Sequence, residues 1–107
     1  MLNSTQLLKG PCVYIITSNS LKNYYKLGSS TNIIQRLKSY HTHTPGQVYV
    51  EHVQYFYDKK AMILAEKLLH YSLDKNREYS KKEWFKIDSP SIPIEKLNKI
   101  SVFINNC

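Results

Sequence analysis

Acidic side chains are scarce in this chain. Its 8 Asp and Glu stand against 15 Lys and Arg, leaving a net charge of +7 and a pI near 9.4. Excess charge of that sign favours polyanionic partners, nucleic acid first and anionic membrane second. A lysine-rich solvated surface satisfies the same composition. Cysteine is nearly missing, and Cys12 and Cys107 stand far apart with no CxxC spacing. That pattern is no disulfide framework and suggests no cysteine metal site. Cys12 heads an apolar run and is expected to be a small buried residue. With 3 glycines the chain carries no Walker loop and no Rossmann fingerprint, and Ser-His-Asp order and HExxH are missing as well. No apolar run approaches membrane-spanning length, and the mixed, polar residues 1–10 do not resemble a signal segment. An intracellular, soluble protein with no membrane partner and no evident small-molecule cofactor is expected. Repeats, low-complexity tracts and linkers are absent too.

What is present fits one compact unit. A chain of 107 residues, 42% hydrophobic, is expected to form a single domain over 1–107 that buries roughly two-thirds of its unfolded surface. Residues 1–10 read as a loosely held lead-in. The β-branched run over 12–17 predicts a strand, 18–20 a turn, and 23–28 a second strand, so the two form a hairpin. Residues 29–32 offer helix caps, and a helix is predicted over about 32–40. In it Ile33 and Leu37 face the core, and Arg36 and Tyr40, four apart, share an adjoining face. Residues 44–46 break the pattern. The segment 47–57 reads as a long strand with apolar groups in both registers, as a strand covered by helices on two sides would have. Asp58 can cap a helix over about 59–75. A charged loop over 74–82 follows, then Glu83-Trp84-Phe85, which docks aromatics on the domain. Pro90 and Pro93 bracket a connection to a last helix over about 94–103. The expected fold is a small α/β sandwich, with a central three-stranded antiparallel sheet flanked by helices in the order β-β-α-β-α plus a C-terminal helix.

Several residues stand out chemically. On a wheel of 3.6 residues per turn, Ala61, Met62, Ala65, Leu68, Leu69, Ser72 and Leu73 fall on one side of the 59–75 helix. Lys60, Lys67 and Tyr71 fall opposite. Glu66 sits at the border, beside Met62, Leu73 and His70. A carboxylate there is either a solvated rim group paired with Lys67 or His70, or a ligand for a divalent cation. Arg36 is either a surface cation or a bidentate phosphate contact. Tyr14 and Tyr25 are either strand aromatics, among 9 tyrosines, or site residues. Gly28 serves a turn or lets a backbone approach a ligand. His41-x-His43 and His52 suggest zinc, but no second ligand pair appears at a recognised spacing. His41 and His43 are expected on a loop.

These segments, taken in order, resemble the GIY-YIG nuclease superfamily, and within it the small viral and phage-associated branch whose second motif reads Tyr-Lys-Ile-Gly. The matching stretches are CVYI with Tyr14, YKLG with Lys26 and Gly28, RLKSY with Arg36 and Tyr40, AEKLLH with Glu66 and His70, and KEWF at Lys82 to Phe85. The likeness covers a core over about 12–87 and leaves 88–107 as a helical tail. It implies that Tyr14 is the general base for water, that Arg36 contacts the scissile phosphate and that Glu66 binds the single metal, Mg²⁺ or Mn²⁺. Lys26 stands where many relatives have the second motif's tyrosine, Tyr40 where some have histidine, and Cys12 where the first motif has glycine. Tyr25, Gly28, Tyr40 and His70 are the expected substrate contacts. Lys26, Arg36 and a metal would favour the Tyr14 phenolate over the phenol, whose ordinary pKa is near 10. Lys22 and Lys81-Lys82 could grip flanking backbone in a salt-sensitive way.

The expected function is a metal-dependent DNA endonuclease domain that hydrolyses phosphodiester bonds, in a host cytoplasm or nucleus if the source is viral. Its partner is DNA, met mainly through phosphate contacts. The alternative is a catalytically weak or inactive nucleic-acid-binding module that keeps the fold. A third reading is a protein-interaction domain with incidental charge.

Overall fold

The computed structural model describes residues 7–77 and 83–106. Strand β1 (Cys12–Ser18) is apolar on both faces because it lies at the centre of the sheet, and Cys12 to Ile16 are all buried. Strand β2 (Tyr24–Ser30) pairs with it antiparallel, placing Tyr14 opposite Gly28 and Ile16 opposite Lys26. The hairpin turns through Asn23 at φ 65°, a left-handed conformation that asparagine tolerates better than most residues. Helix α1 (Ile33–His43) starts at Asn32, whose side chain accepts from the Gln35 N–H at 3.3 Å. It runs three residues beyond the expected Tyr40 and stops at Thr44. That residue is extended because Pro45 follows it.

Strand β3 (Val48–Tyr55) pairs antiparallel with the other edge of β1. Ile16 faces Val50 whereas Ile15 faces His52, so Glu51 is an extra, bulged residue. The bulge corrects the expectation of two apolar faces. One inserted residue reverses the side-chain alternation. Val48 and Val50 before it, and Val53 and Tyr55 after it, therefore all pack toward the same cluster. The other side of β3 carries Tyr49, His52 and Gln54. Helix α2 (Lys59–Ser72) is capped by Asp58, which accepts from the Ala61 N–H at 2.8 Å. It gives way to a 3-10 turn at Asp74–Asn76. Strand β4 (Trp84–Lys86) then pairs with β2, and helix α3 (Ser91–Asn105) closes the chain. Pro93 lies inside the first turn of α3, where a missing N–H costs nothing.

The sheet order is β3-β1-β2-β4, so the antiparallel sheet has four strands. β4 takes up the open edge of β2, and the Leu27 N–H to Glu83 carbonyl (3.1 Å) and Ile87 N–H to Asn23 carbonyl (2.9 Å) bonds extend the pairing. Side-chain alternation splits the interior in two. Val13, Ile15, Leu27 and Phe85 pack under α2 and α3. Cys12, Tyr14 and Ile16 pack under α1 with Ile33 and Tyr40. Leu7 is buried in the α1-side cluster, and Leu8 is bonded through its N–H (2.8 Å) and its carbonyl (2.7 Å) to the Tyr55 hydroxyl. The stretch 7–10 is therefore tethered, while residues 1–6 lie outside the described residues. Among the described residues no helix is long and apolar enough to cross a membrane.

Candidate functional site

The register of β1 and β2 turns Tyr14, Lys26 and Gly28 toward α1. Tyr14 is fully buried, and its hydroxyl shares a short hydrogen bond with that of Tyr40. The two rings meet edge to face, with centroids 6.0 Å apart. Arg36, one helical turn before Tyr40 and exposed, donates from Nε to the Tyr40 hydroxyl at 3.3 Å. Its guanidinium carbon is 5.6 Å from the Tyr40 ring centroid. The Lys26 Nζ stands 4.5 Å from the same ring and 5.7 Å from the ring of Trp84. Cations and rings thus alternate across this face as Arg36, Tyr40, Lys26 and Trp84. A Cβ added to Gly28 would lie 2.5 Å from the Tyr14 hydroxyl oxygen and 2.7 Å from its ring carbon Cζ. The tyrosine ring fills the space the missing side chain leaves, so Gly28 serves packing rather than ligand approach.

Burial decides the electrostatics. Desolvation pushes the Tyr14 phenol well above its ordinary value, and the hydrogen bond and charge coupling to Tyr40 add to this. Arg36 opposes the rise more weakly. The expectation that nearby cations favour a phenolate is therefore reversed in this state: Tyr14 is a neutral phenol. The hydroxyls of Tyr14 and Tyr40 in turn hold the Arg36 guanidinium in its charged form. Lys26 is shifted below its ordinary value by partial burial, against the pull of Glu83.

Beyond the end of α1 nearest β2, Ser30, Thr31, Asn32, Gln35, Arg36 and Ser39 line an open groove of about 290 Å³. The Ser30 hydroxyl accepts from the Asn32 N–H at 2.9 Å. The groove offers hydroxyls, two amides and a guanidinium, a donor set suited to a phosphate. Sequence reasoning took residues 29–32 only as helix caps and missed this wall. The signal was the run of four small polar residues beside Arg36.

Of the remaining predicted residues, Glu66 and His70 stand on α2 itself, and Tyr25 lies in the core beneath it. Glu66 accepts from the Ser29 hydroxyl at 3.0 Å, a partner that replaces the expected Lys67 or His70. The His70 Nε2 is hydrogen bonded to the Leu27 carbonyl at 2.5 Å, and its ring lies 5.1 Å from that of Phe85. Tyr25 is buried in the same core, and burial raises its phenol with Glu51 adding to the shift. Tyr25 and His70, expected at the substrate, therefore hold the α2 side together instead of joining the Arg36 row. Glu66 meets that row only at the end of β2, where Ser29 faces α2 and the adjacent Ser30 faces the groove.

Among the described residues no three His, Cys, Asp or Glu side chains converge on one point. Glu66 and Ser29 offer oxygen donors of the type Mg²⁺ and Mn²⁺ take, and Mg²⁺ is commonly held by one or two carboxylates with several waters. His41 and His43 occupy the last turn of α1 rather than a loop. His43 Nδ1 is hydrogen bonded to the Ser39 carbonyl at 2.9 Å. His52 pairs with Ile15 on β1, and burial lowers its pKa. Cys12 is buried, with its thiol pushed up to about 11 by desolvation. Lys22 is exposed at the hairpin turn, and Lys81 and Lys82 lie outside the described residues.

Comparison with known proteins adds one finding. Residues 11–105 match the T5orf172 domain, and the chain belongs to that family. The family is a phage-associated, nuclease-like domain related to nucleases of the GIY-YIG and HNH types. None of the curated proteins and none of the solved structures matches this chain.

Proposed function

We propose that the chain is a GIY-YIG-type endonuclease domain that hydrolyses DNA phosphodiester bonds. The observation that carries this reading is the linked set on the α1 face. Arg36 stands exposed at a groove of phosphate-binding character, and Tyr40 connects it to the buried hydroxyl of Tyr14, with Lys26 above. Arg36 binds the non-bridging oxygens of the scissile phosphate through its planar fork. Lys26 adds charge where negative charge develops. Glu66, supported by Ser29, holds Mg²⁺ or Mn²⁺, which when bound supplies Lewis-acid stabilisation of charged oxygens. Tyr14 would serve as the general base only through its minor phenolate form, since the described state holds it as a buried neutral phenol. Because burial disfavours that form, the rate rises with pH through the neutral range.

Nicking of supercoiled plasmid in Mg²⁺ tests the reading. Arg36→Ala and Glu66→Ala should each lower the rate on the order of 10²–10³-fold. Equal activity in wild type and both variants would point to a contaminant and sink the proposal. A second reading, a DNA-binding module without cleavage, draws on the fully buried Tyr14 and on Glu66 being engaged by the Ser29 hydroxyl. It expects salt-dependent DNA binding and no nicking with either metal.

A further inference from the structure

Beyond Lys26 the row of cations and rings ends at Trp84, and Trp84 forms one wall of a separate cavity. Among the described residues, Leu21 of the hairpin turn, His43 at the end of α1, Thr44 and Pro45 also line it, and its volume is about 220 Å³. The register pairing of Trp84 with Lys26 puts this cavity on the α1 face, beside the Lys26 ammonium.

The walls are held in place. The Ser18 hydroxyl donates to the Pro45 carbonyl at 2.5 Å. Asn19 bonds Gln47 twice, its side chain accepting from the Gln47 N–H at 2.9 Å and its N–H donating to the Gln47 carbonyl at 3.1 Å. Gly46 between them has φ 75°, and a Cβ there would collide with Asn19 and Ser20. The turn carrying Pro45 is therefore locked to the turn carrying Leu21, and the cavity exists before any ligand arrives.

Its chemistry is specific. An indole, a leucine and a proline supply apolar walls, while a histidine and a threonine supply hydrogen-bonding groups. A cation stands beside the indole. A flat heterocycle with polar edges, attached to a phosphate chain, matches that combination.

We propose that the Trp84 cavity receives one unpaired base of the DNA whose phosphates lie along Arg36 and Lys26. The preferred substrate class is then DNA with unpaired nucleotides beside the cut, such as a flap or a single-stranded junction, because a paired base must first leave the stack. The inference rests on the proposed DNA-binding role of the α1 face.

Trp84 is the sole tryptophan of the chain, so its emission reports on the cavity directly. The full chain is titrated in EDTA, which prevents turnover, with a thymidine oligonucleotide, an equally long abasic oligomer, and a duplex. The thymidine oligomer should quench Trp84 and bind about tenfold tighter than the abasic one, the scale of a single stacked base. Thr44→Phe, which fills the cavity, should remove that advantage, with a thermal melt confirming that the variant is folded. Duplex binding together with equal affinity and equal quenching by the two oligomers overturns the base cavity and leaves the proposed function standing. Failure of all three to bind at low salt overturns both.

Discussion

The two faces of the sheet are built on opposite terms. Under α2 and α3 the interior is continuous and apolar, and its polar side chains are used for attachment, as His70 is to the Leu27 carbonyl. Under α1 a single helix covers the sheet, and a tyrosine pair is buried there with an arginine and a lysine at its rim. The first face needs packing alone. The second accepts a desolvated hydroxyl pair and adjacent positive charges, which stability does not require. The difference is one of composition: packing dominates one side, and buried hydroxyls with cations at their rim mark the other.

The sharpest way to break that division is through Phe85, which is fully buried on the α2 side. Phe85→Ala should cost about 3–5 kcal/mol in urea denaturation. A loss below 1 kcal/mol would mean that this face is not the stabilising one. Gly28→Ala probes the contact on the opposite side. The added methyl group meets the Tyr14 ring, and overpacking of this kind costs about 1–3 kcal/mol. In a Tyr14→Ala background most of that penalty should vanish. Additive losses in the double-mutant cycle would place the strain elsewhere.

Ser29→Ala acts where the two faces meet. Losing one partly exposed hydrogen bond to Glu66 should cost about 1 kcal/mol of stability. If Glu66 holds a cation, the Mg²⁺ concentration for half-maximal cleavage should also rise, by about tenfold or more. An unchanged metal requirement would make the Ser29–Glu66 pair purely structural.

The smallest effect is on pH dependence. Tyr14 is raised above the usual phenol value near 10 in the folded chain, so the unfolded chain releases this proton first. Its contribution is complete below about pH 10 and is lost as pH climbs toward the folded value. Tyr25, and Cys12 with its thiol at about 11, act in the same direction. Tyr14→Phe should therefore flatten the alkaline fall in stability. Identical slopes for wild type and variant would contradict the burial of the phenol.

Much of this was legible in the chain, for physical reasons. The hairpin and the Arg36–Tyr40 pair follow from alternation and from four-residue helical spacing, both local properties. Lys26 was placed through the motif resemblance, whereas Tyr25, expected beside it at the substrate, turns to the α2 side because neighbouring strand residues point to opposite faces. The bulge at Glu51 was hidden because one inserted residue has no compositional mark, and its effect appears only against β1. β4, at three residues, is too short to show a period. The burial that opposes a Tyr14 phenolate was not legible, because it is set by how α1 docks on the sheet. The Ser29–Glu66 contact depends on how α2 docks, which no local pattern contains.

The bulge has a consequence for the chain's behaviour in company. β3 is one edge of the sheet, and the other edge, β4, spans only Trp84–Lys86. An unbroken edge presents a regular row of amides and carbonyls to any stray strand, and so invites intermolecular pairing. At Glu51 that row is interrupted, and at β4 it is too brief to template an addition. The sheet is thereby less open to edge-to-edge pairing with further copies of the chain.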